Sequence, residues 1–365
     1  MEVYKFIVWA DTHWDKLAAK CVTLDDAERV ERAVFERAIS GGFDFTLFAG
    51  DRYLKREPDD ETKVRADRII YDLVHQGRIP HYHLIGNHDW VDNSRKWHTS
   101  ESLKLFNNVY VMDIPKTYRF LNVAIHALPA DFQMDISKYQ LDGHLNIFVF
   151  HDVVKGTYMN EEHTLKFEAG MALEEFDLPQ FDIVFAGDIH IRQPFNLQYT
   201  RGGYLGSILQ RTRADANHER GWTEIVATND GSGWSFDVKF VPTKNLFTRV
   251  SFSVNATTKV DDLHIPSEDI EDQLLEVKLI GEKKDVDRIA DDIRWKKLEI
   301  EQGARRVELL RAYQAEQSEV VVDLTKSTTP VGDLELYLDS EFSSIGRLKR
   351  EDIIGSLNSL VGGEA

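Results

Sequence analysis

The sequence has almost no cysteine, no long hydrophobic stretch and a deficit of positive charge. A single cysteine among 365 residues, Cys21, excludes an internal disulfide framework and a metal site made only of cysteines. No apolar run approaches the roughly 20 residues needed to cross a bilayer. The N-terminal run also lacks the small-residue cleavage pattern of a secretory signal. Together these absences predict a cytoplasmic protein that does not associate with a membrane.

The formal net charge of −18 argues against a generally basic nucleic-acid binder, because non-specific DNA affinity depends on Lys and Arg that neutralise phosphates. One segment, residues 192–220, reverses the overall sign. It is either a phosphate-facing surface or a solvated loop, and its charge alone does not decide between the two. Its arginines are Arg192, Arg201, Arg211, Arg213 and Arg220.

Five apolar runs in the first two thirds of the chain end abruptly in polar residues that can bind metal. Runs rich in Val, Ile and Phe predict strands buried on both faces of a layered α/β domain. Helical patterns over Leu24–Ser40 and Glu61–Gln76 are long enough to connect parallel strands. The predicted strands are Tyr4–Ala10, Phe43–Ala49, His81–Ile85, Leu145–Phe150 and Phe181–Ala186.

The polar residues that follow these runs form a candidate metal site. In open α/β sheets, sites form outside the carboxyl ends of the strands. A mixture of carboxylate, imidazole and amide ligands favours Mn²⁺, Fe²⁺ or Zn²⁺ over Ca²⁺ or Mg²⁺. The candidate residues are Asp11 and His13, Gly50-Asp51, Gly86-Asn87-His88-Asp89, His151, and Gly187-Asp188-Ile189-His190.

Each motif also has a plain structural explanation. Asn and Asp favour turns, and a lone histidine such as His151 at a strand end is often bonded only to backbone. The combination of the motifs, at spacings suited to crossover connections, favours a metal site. The flanking tryptophans 14, 90 and 97 either stack on a base or wall the pocket.

The order DxH, GD, GNHD, H and GDxH resembles the calcineurin-like metallophosphoesterase superfamily over roughly residues 3–225. Within it, the chain resembles SbcD-type DNA repair and recombination nucleases, including the small subunits of phage recombination endonucleases. This narrower resemblance rests on Gly206-Ser207, on Glu219-Arg220-Gly221 and on the layout of the C-terminal third. The implied fold is an α/β, layered β-sandwich flanked by helices, with a small α+β capping domain and a helical C-terminal tail.

The resemblance also implies residue roles. One divalent ion would be held by Asp11, His13, Asp51 and His190. A second would share Asp51 and add Asn87, His151 and Asp188. His88 would be catalytic, stabilising the transition state or protonating the leaving group. The expected metal is Mn²⁺, with Mg²⁺, Fe²⁺ and Zn²⁺ as alternatives. The DNA-contacting residues would be Arg192, Arg201, Arg211 and Arg213.

The implied layout has a nuclease domain over residues 1–242, a capping domain over 243–317, a linker over 318–330 and a helical segment over 331–365. Within the third quarter of the chain, Thr248–Val254 and Leu274–Ile280 are predicted strands, Val286–Ile300 a helix, and Arg305–Ala312 a strand or helix. The expected partners are DNA and an SbcC-type coiled-coil ATPase that binds the C-terminal segment. A homodimer in a bacterial or phage-infected cell is also implied.

Three positions depart from the family pattern. Asp188 stands where histidine is usual, Leu54 where an acid or histidine is usual, and Asp15 where glycine is usual. Asp188 and Leu54 leave open a catalytically inactive interaction module. A phosphatase or cyclic-nucleotide phosphodiesterase acting on small molecules or proteins also fits the metal motifs, and the acidic net charge favours it over a nuclease.

Overall fold

The computed structural model describes residues 1–15, 22–141, 144–160, 163–211, 215–216, 218–263, 273–292, 295, 304 and 306–313. The helices are α1 (Leu24–Ser40), α2 (Asp60–Ile70) and α3 (Lys283–Ala290). The strands are β1 (Glu2–Trp9), β2 (Phe45–Phe48), β3 (His81–Leu84), β4 (Val109–Met112), β5 (Lys116–Phe120), β6 (Val123–Leu128), β7 (Leu145–His151), β8 (Ile183–Gly187), β9 (Gln193–Pro194), β10 (Gly202–Tyr204), β11 (Gly221–Asn229), β12 (Trp234–Pro242), β13 (Phe247–Ser253), β14 (Leu274–Gly281) and β15 (Arg306–Tyr313).

Two six-stranded mixed sheets contain twelve of these strands, in the orders β12-β11-β1-β2-β3-β4 and β5-β6-β7-β8-β10-β9. In the first sheet β1 to β4 are parallel, and β11 and β12 form antiparallel pairs beyond β1. In the second, β6, β7, β8 and β10 are parallel, with β5 and β9 antiparallel at the edges. The predicted layered α/β fold is confirmed, and the five predicted runs are all parallel strands.

Alternation along β1 explains the layers. Phe6 and Val8 pack between the two sheets, whereas Ile7 and Trp9 face the opposite way into the core under α1 and α2. Successive side chains on a strand point to opposite faces, so a strand apolar at both sets of positions must be covered on both sides. A third apolar cluster covers the outer face of the second sheet.

The N-terminus of α1 is fixed by a capping box. The Thr23 hydroxyl accepts from the Asp26 backbone N–H, and the Asp26 carboxylate accepts from the Thr23 backbone N–H. Near the other end, Arg37 forms two hydrogen bonds of 2.7 and 2.9 Å with Glu224 of β11. These contacts hold α1 against the first sheet.

The second predicted helix is shorter than the pattern Glu61–Gln76 indicated. Helix α2 ends at Ile70, and a π-helical turn over Tyr71–His75 follows it. Single-turn 3-10 segments lie at Glu101–Leu105, Ile136–Lys138, Leu173–Glu175 and Val260–Asp262. Strands β4 to β6 and β9 to β12 were not predicted individually.

Beyond Pro242, β13, β14 and β15 form a three-stranded sheet. The segment 305–312, predicted as strand or helix, is a strand over its described residues, which belong to β15. The predicted helix Val286–Ile300 is wrong at its start and as a continuous element, since α3 begins at Lys283 and ends at Ala290. The predicted linker 318–330 and tail 331–365 lie outside the described residues.

Within the described residues, the contacts divide the chain into two compact units. The first contains Met1–Val250, with both large sheets, together with the first part of β14 and most of β15. The second contains Ser251–Leu263 and Leu279–Asp292. The domain boundary between residues 242 and 243 stays a prediction. No helix in the described part of the chain has the length and apolar character of a membrane span.

A candidate dimetal site

The site is built on loops that extend the pairing of β1 with β2. The Asp11 backbone N–H donates to the Gly50 carbonyl (3.0 Å), and the His13 N–H donates to the Asp51 carbonyl (3.1 Å). Asp11, His13 and Asp51 all have left-handed backbones, with φ of 54°, 49° and 61°. Such conformations are uncommon for non-glycine residues and concentrate at functional sites.

Two glycines of the motifs are required by close approach. A Cβ at Gly50 would overlap the ring of His151, and a Cβ at Gly86 would overlap the carboxylate of Asp51. Gly50 also has φ of +100°, which side chains other than glycine rarely adopt. Each glycine therefore makes room for a polar side chain from another strand end, His151 of the second sheet and Asp51 of the first.

The first cluster contains His13, His190, Asp11 and Asp51. The Nε2 atoms of His13 and His190 lie 2.9 Å apart, and His13 Nε2 lies 3.8 Å from Asp11 Oδ1 and 3.7 Å from Asp51 Oδ2. Burial lowers the pKa of His13 well below its usual value and that of His190 to about 4. Both rings are therefore neutral near pH 7, which is the form that binds metal. Asp11 Oδ2 is buried and has no hydrogen-bond partner within the described residues, as expected for an atom that faces a cation.

The second cluster is arranged around His151. Its Nε2 lies 3.4 Å from Asp51 Oδ1, 3.2 Å from Asn87 Oδ1 and 3.8 Å from Asp188 Oδ1. Its Nδ1 donates to the Ala49 carbonyl at 2.7 Å, which aims Nε2 into the site. Asp51 therefore presents Oδ2 to the first cluster and Oδ1 to the second, the geometry of a carboxylate between two ions.

The charges of this site are unbalanced without cations. Burial, reinforced by Asp51 and Asp188, raises the pKa of Asp11 well above its usual value. Burial also acts to lower the pKa of His151, but the charges of Asp51 and Asp11 outweigh it and raise that pKa well above normal. Divalent cations would replace the proton of His151 and relieve the repulsion among the carboxylates. The donor set fits a pair of divalent metal ions.

His88 lies at the solvent-accessible side of the site, with its side chain 41% exposed. Its Nδ1 donates to the Leu54 carbonyl at 2.7 Å, and its Nε2 lies 4.0 Å from Asp51 Oδ2. Leu54 lacks the side chain usual in the family, yet its backbone carbonyl orients His88. The ring nitrogen that faces the site is thus available for proton transfer.

Two residues have supporting roles that the motif patterns did not predict. Asp89 is fully buried and accepts from the backbone N–H groups of Asp51 (3.1 Å), Arg52 (3.1 Å) and Gly86 (3.0 Å). It therefore fixes the loop that carries the shared carboxylate. Its place directly after His88 in the GNHD motif was the signal that could have identified it.

Glu31 of α1 supports the same loops from behind. It accepts from Trp14 Nε1 at 2.6 Å and lies 3.4 Å from the buried guanidinium of Arg52. Trp14 and Arg52 each follow a residue of the metal clusters directly, so Glu31 connects the β1 and β2 loops. A glutamate in an amphipathic helix carries no sequence signal for this role.

The flanking tryptophans have different environments. Trp14 and Trp90 are buried, and Trp90 donates to the Ala130 carbonyl. The prediction that these two rings stack on a base is therefore wrong. Trp97 is 63% exposed.

The arginines of residues 192–220 do not form one surface. Arg192 and Arg201 are exposed, whereas Arg211 and Arg220 are buried. A solvated loop therefore does not describe this segment. Arg213 lies outside the described residues.

Residues 4–192 match the calcineurin-like phosphoesterase family. The chain belongs to this family. Among curated proteins, it is 23% identical over 269 residues to the SbcD subunit of nuclease SbcCD from Staphylococcus saprophyticus, a match that covers 66% of this chain and 69% of the relative. The chain is thus a metallophosphoesterase, a hydrolase acting on phosphoester bonds, with a His/Asp dimetal site.

Two matches among the solved structures have low TM-scores. A putative 5'-nucleotidase from Staphylococcus aureus has a TM-score of 0.40 and 13% identity, and the match covers 66% of this chain and 54% of that chain, so this chain spans about half its length. A dimetal phosphatase from Danio rerio has a TM-score of 0.39 and 10% identity, over 64% of this chain and 98% of that one. Family membership rests on the sequence match.

Proposed function

We propose that this metallophosphoesterase is a DNA nuclease, endonucleolytic or exonucleolytic, that acts in DNA repair or recombination. The observation that carries the proposal is the similarity to the SbcD nuclease over 269 residues, a span longer than the family match at residues 4–192. Gly206-Ser207 and Glu219-Arg220-Gly221 add support, because they resemble the segment that closes the nuclease core in SbcD-type nucleases.

The proposed ligands follow the two clusters. Asp11, His13, Asp51 and His190 would hold one ion, preferentially Mn²⁺. The chemistry that two such ions would supply is activation of water and neutralisation of charge on the phosphate. The second ion would be held by Asp51, Asn87, His151 and Asp188. Asp188 supplies a carboxylate oxygen where the family has imidazole, which gives the second position a harder ligand set.

His88 is the proposed catalytic residue. Its Nδ1 is committed to the Leu54 carbonyl, so Nε2 is the atom that exchanges a proton with the leaving oxygen. The Leu54 bond keeps this nitrogen directed at the site. The half-exposed position of the ring lets a substrate reach it from solvent.

The test is hydrolysis of defined single- and double-stranded DNA ends with Mn²⁺, compared with nitrophenyl phosphates and cyclic nucleotides. A nuclease cleaves DNA at rates far above those for the small substrates, and His88→Ala abolishes most of that cleavage. Efficient turnover of the small substrates with no cleavage of DNA would contradict the proposal.

The second candidate is a phosphatase or cyclic-nucleotide phosphodiesterase. The net charge of −18 favours it, since it disfavours approach of a polyanion. The same substrate panel separates the two candidates.

The C-terminal layout belongs to the proposal. The capping domain (243–317), the linker (318–330) and the helical segment (331–365) would follow the nuclease domain, and the last segment would bind an SbcC-type ATPase in a complex with a homodimeric nuclease. A chain truncated after Pro330 should keep Mn²⁺-dependent cleavage and lose association with the ATPase. Unfolding of the truncated chain would instead show that the segment belongs to its own core.

A further inference from the structure

Arg211 has an unusual environment for a charged side chain. It is 4% exposed, and its Nε, Nη1 and Nη2 atoms are all buried without a hydrogen-bond partner within the described residues. Arg220, in the same segment, is 3% exposed but donates to Asp215 Oδ1 at 2.7 Å. Two arginines of similar burial therefore differ in whether the described residues supply an acceptor.

An unpaired buried guanidinium is costly, because it has lost water and gained no acceptor in return. Arginine does not escape this cost by losing its proton. Burial lowers the pKa of Arg211 only to about 10, so the side chain stays charged at neutral pH. An anion that accepts hydrogen bonds from the guanidinium would remove this cost.

The backbone places Arg211 beside the first metal cluster. The Ser207 N–H donates to the His190 carbonyl at 3.1 Å, and the Ile208 N–H donates to the Ala10 carbonyl at 3.2 Å. The Arg211 N–H donates to Asp215 Oδ2 at 2.8 Å. The segment that ends in Arg211 is thus fastened to the strand ends that carry Asp11 and His190.

The guanidinium of Arg211 lies within electrostatic range of the same cluster, because its charge acts on both His13 and His190. A cation at that position attracts an anion.

Acidic neighbours do not supply the missing acceptor. Asp15, Asp26 and Asp215 act on the charge of Arg211, yet each is paired with another cation. Their partners are Lys55 at 2.9 Å, Arg29 at 2.7 Å and Arg220 at 2.7 Å, respectively.

We propose that Arg211 binds the phosphoryl group of the substrate, donating from its guanidinium to non-bridging oxygens beside His13 and His190. The planar fork of arginine matches two phosphate oxygens, which a single ammonium group does not. Arg211 is then a substrate-binding residue and not a metal ligand. The assignment rests on phosphoester hydrolysis at this site and holds whether the substrate is DNA or a small molecule.

The test is titration of the full-length, Mn²⁺-loaded protein with inorganic phosphate, followed by calorimetry. Loss of charged hydrogen bonds in Arg211→Gln should weaken phosphate binding by about 10- to 100-fold, with metal content unchanged. Arg211→Lys keeps the charge without the fork, and its affinity should fall between those of Arg211→Gln and the wild type. Arg78→Gln changes an exposed arginine outside residues 192–220, and this matched control should bind phosphate as the wild type does.

Phosphate affinity decides the outcome. Wild-type affinity in Arg211→Gln, or in Arg211→Lys if the glutamine variant does not fold, would overturn the proposal. A lower melting temperature combined with unchanged phosphate affinity would assign Arg211 a purely structural role. The titration uses inorganic phosphate and no nucleic acid. Its result therefore does not depend on whether the protein cleaves DNA.

Discussion

Two sets of buried histidines in this protein have opposite uses. His13 and His151 lie at or just beyond strand ends, within 4 Å of the shared carboxylate of Asp51. His81 and His83 lie inside β3, where His81 Nε2 is 3.2 Å from His83 Nδ1. Burial affects all four, but only the first pair is surrounded by carboxylates.

The partners of the ring nitrogens explain the difference. Thr46 Oγ1 lies 3.0 Å from His81 Nδ1, and Ser100 Oγ lies 3.1 Å from His83 Nε2, so both rings are satisfied by neutral groups. His126 is bonded in the same way, to Thr117 and Asn146. A histidine with both nitrogens occupied has no lone pair for a metal. The environment, and not the residue type, separates ligand from core.

Substituting one histidine of each kind should give the largest difference in activity and metal content. His151→Gln should lower phosphodiester hydrolysis by about a thousandfold or more, because metal catalysis contributes several kcal/mol. His126→Gln, on the neighbouring strand, should keep activity and metal while losing about 1–3 kcal/mol of unfolding free energy. Metal analysis, turnover and denaturant unfolding of both variants measure this. Loss of metal from the His126 variant would break the comparison.

His88→Ala is expected to separate catalysis from metal binding. Turnover should fall by about 10²- to 10⁴-fold, the usual contribution of a general acid, with metal content as in the wild type. His144→Ala is the control, since His144 is an exposed histidine whose ring contacts only Glu2 among the described side chains. Metal loss from the His88 variant would move His88 into the ligand set.

Asp89→Asn tests whether the residue that holds the Asp51 loop in place also affects metal affinity. The variant keeps the shape but weakens the acceptor for the backbone N–H groups of the Asp51 loop. Metal affinity should fall by about 10-fold or more, in line with other outer-shell changes. Asp92→Asn, an exposed residue three positions on, should have wild-type affinity in the same metal titration.

The smallest effect concerns pH and the strand histidines. Burial lowers the pKa of His81 and His83 well below the usual value. Below about pH 6.5 the unfolded chain binds protons that the folded protein excludes, so the unfolding free energy falls as pH drops. Each histidine contributes up to about 1.4 kcal/mol per pH unit. His81→Gln should therefore lose less stability than the wild type between about pH 6.5 and 5, and equal slopes would contradict the account.

The sequence predicted the parallel strands and the residues at their ends because both leave local signals: apolar runs, glycines and polar exits. The glycines mark close approach, as Gly50 does against His151. The antiparallel strand β12 leaves a different signal, an alternation of apolar and polar residues, and it ends in no metal-binding motif.

The contacts that support the site could not be predicted, although the GNHD motif contains Asp89. Asp89 bonds backbone N–H groups up to 38 residues away in sequence, and Glu31 reaches loops of two different strands. Such contacts depend on how distant elements pack together, and this packing leaves no local pattern in the sequence. The buried state of Arg211 is likewise a property of packing, because its neighbouring arginines at 192 and 201 are exposed.

The central claim is that Asp51 joins two metal positions, and metal stoichiometry tests it directly. After loading with Mn²⁺ and removal of free metal, the wild-type protein should hold about two ions per chain. Asp51→Ala should lose affinity at both positions, whereas His190→Ala and His151→Ala should each weaken mainly one. A wild-type protein that binds a single ion, or an Asp51→Ala protein that retains both, would contradict the account.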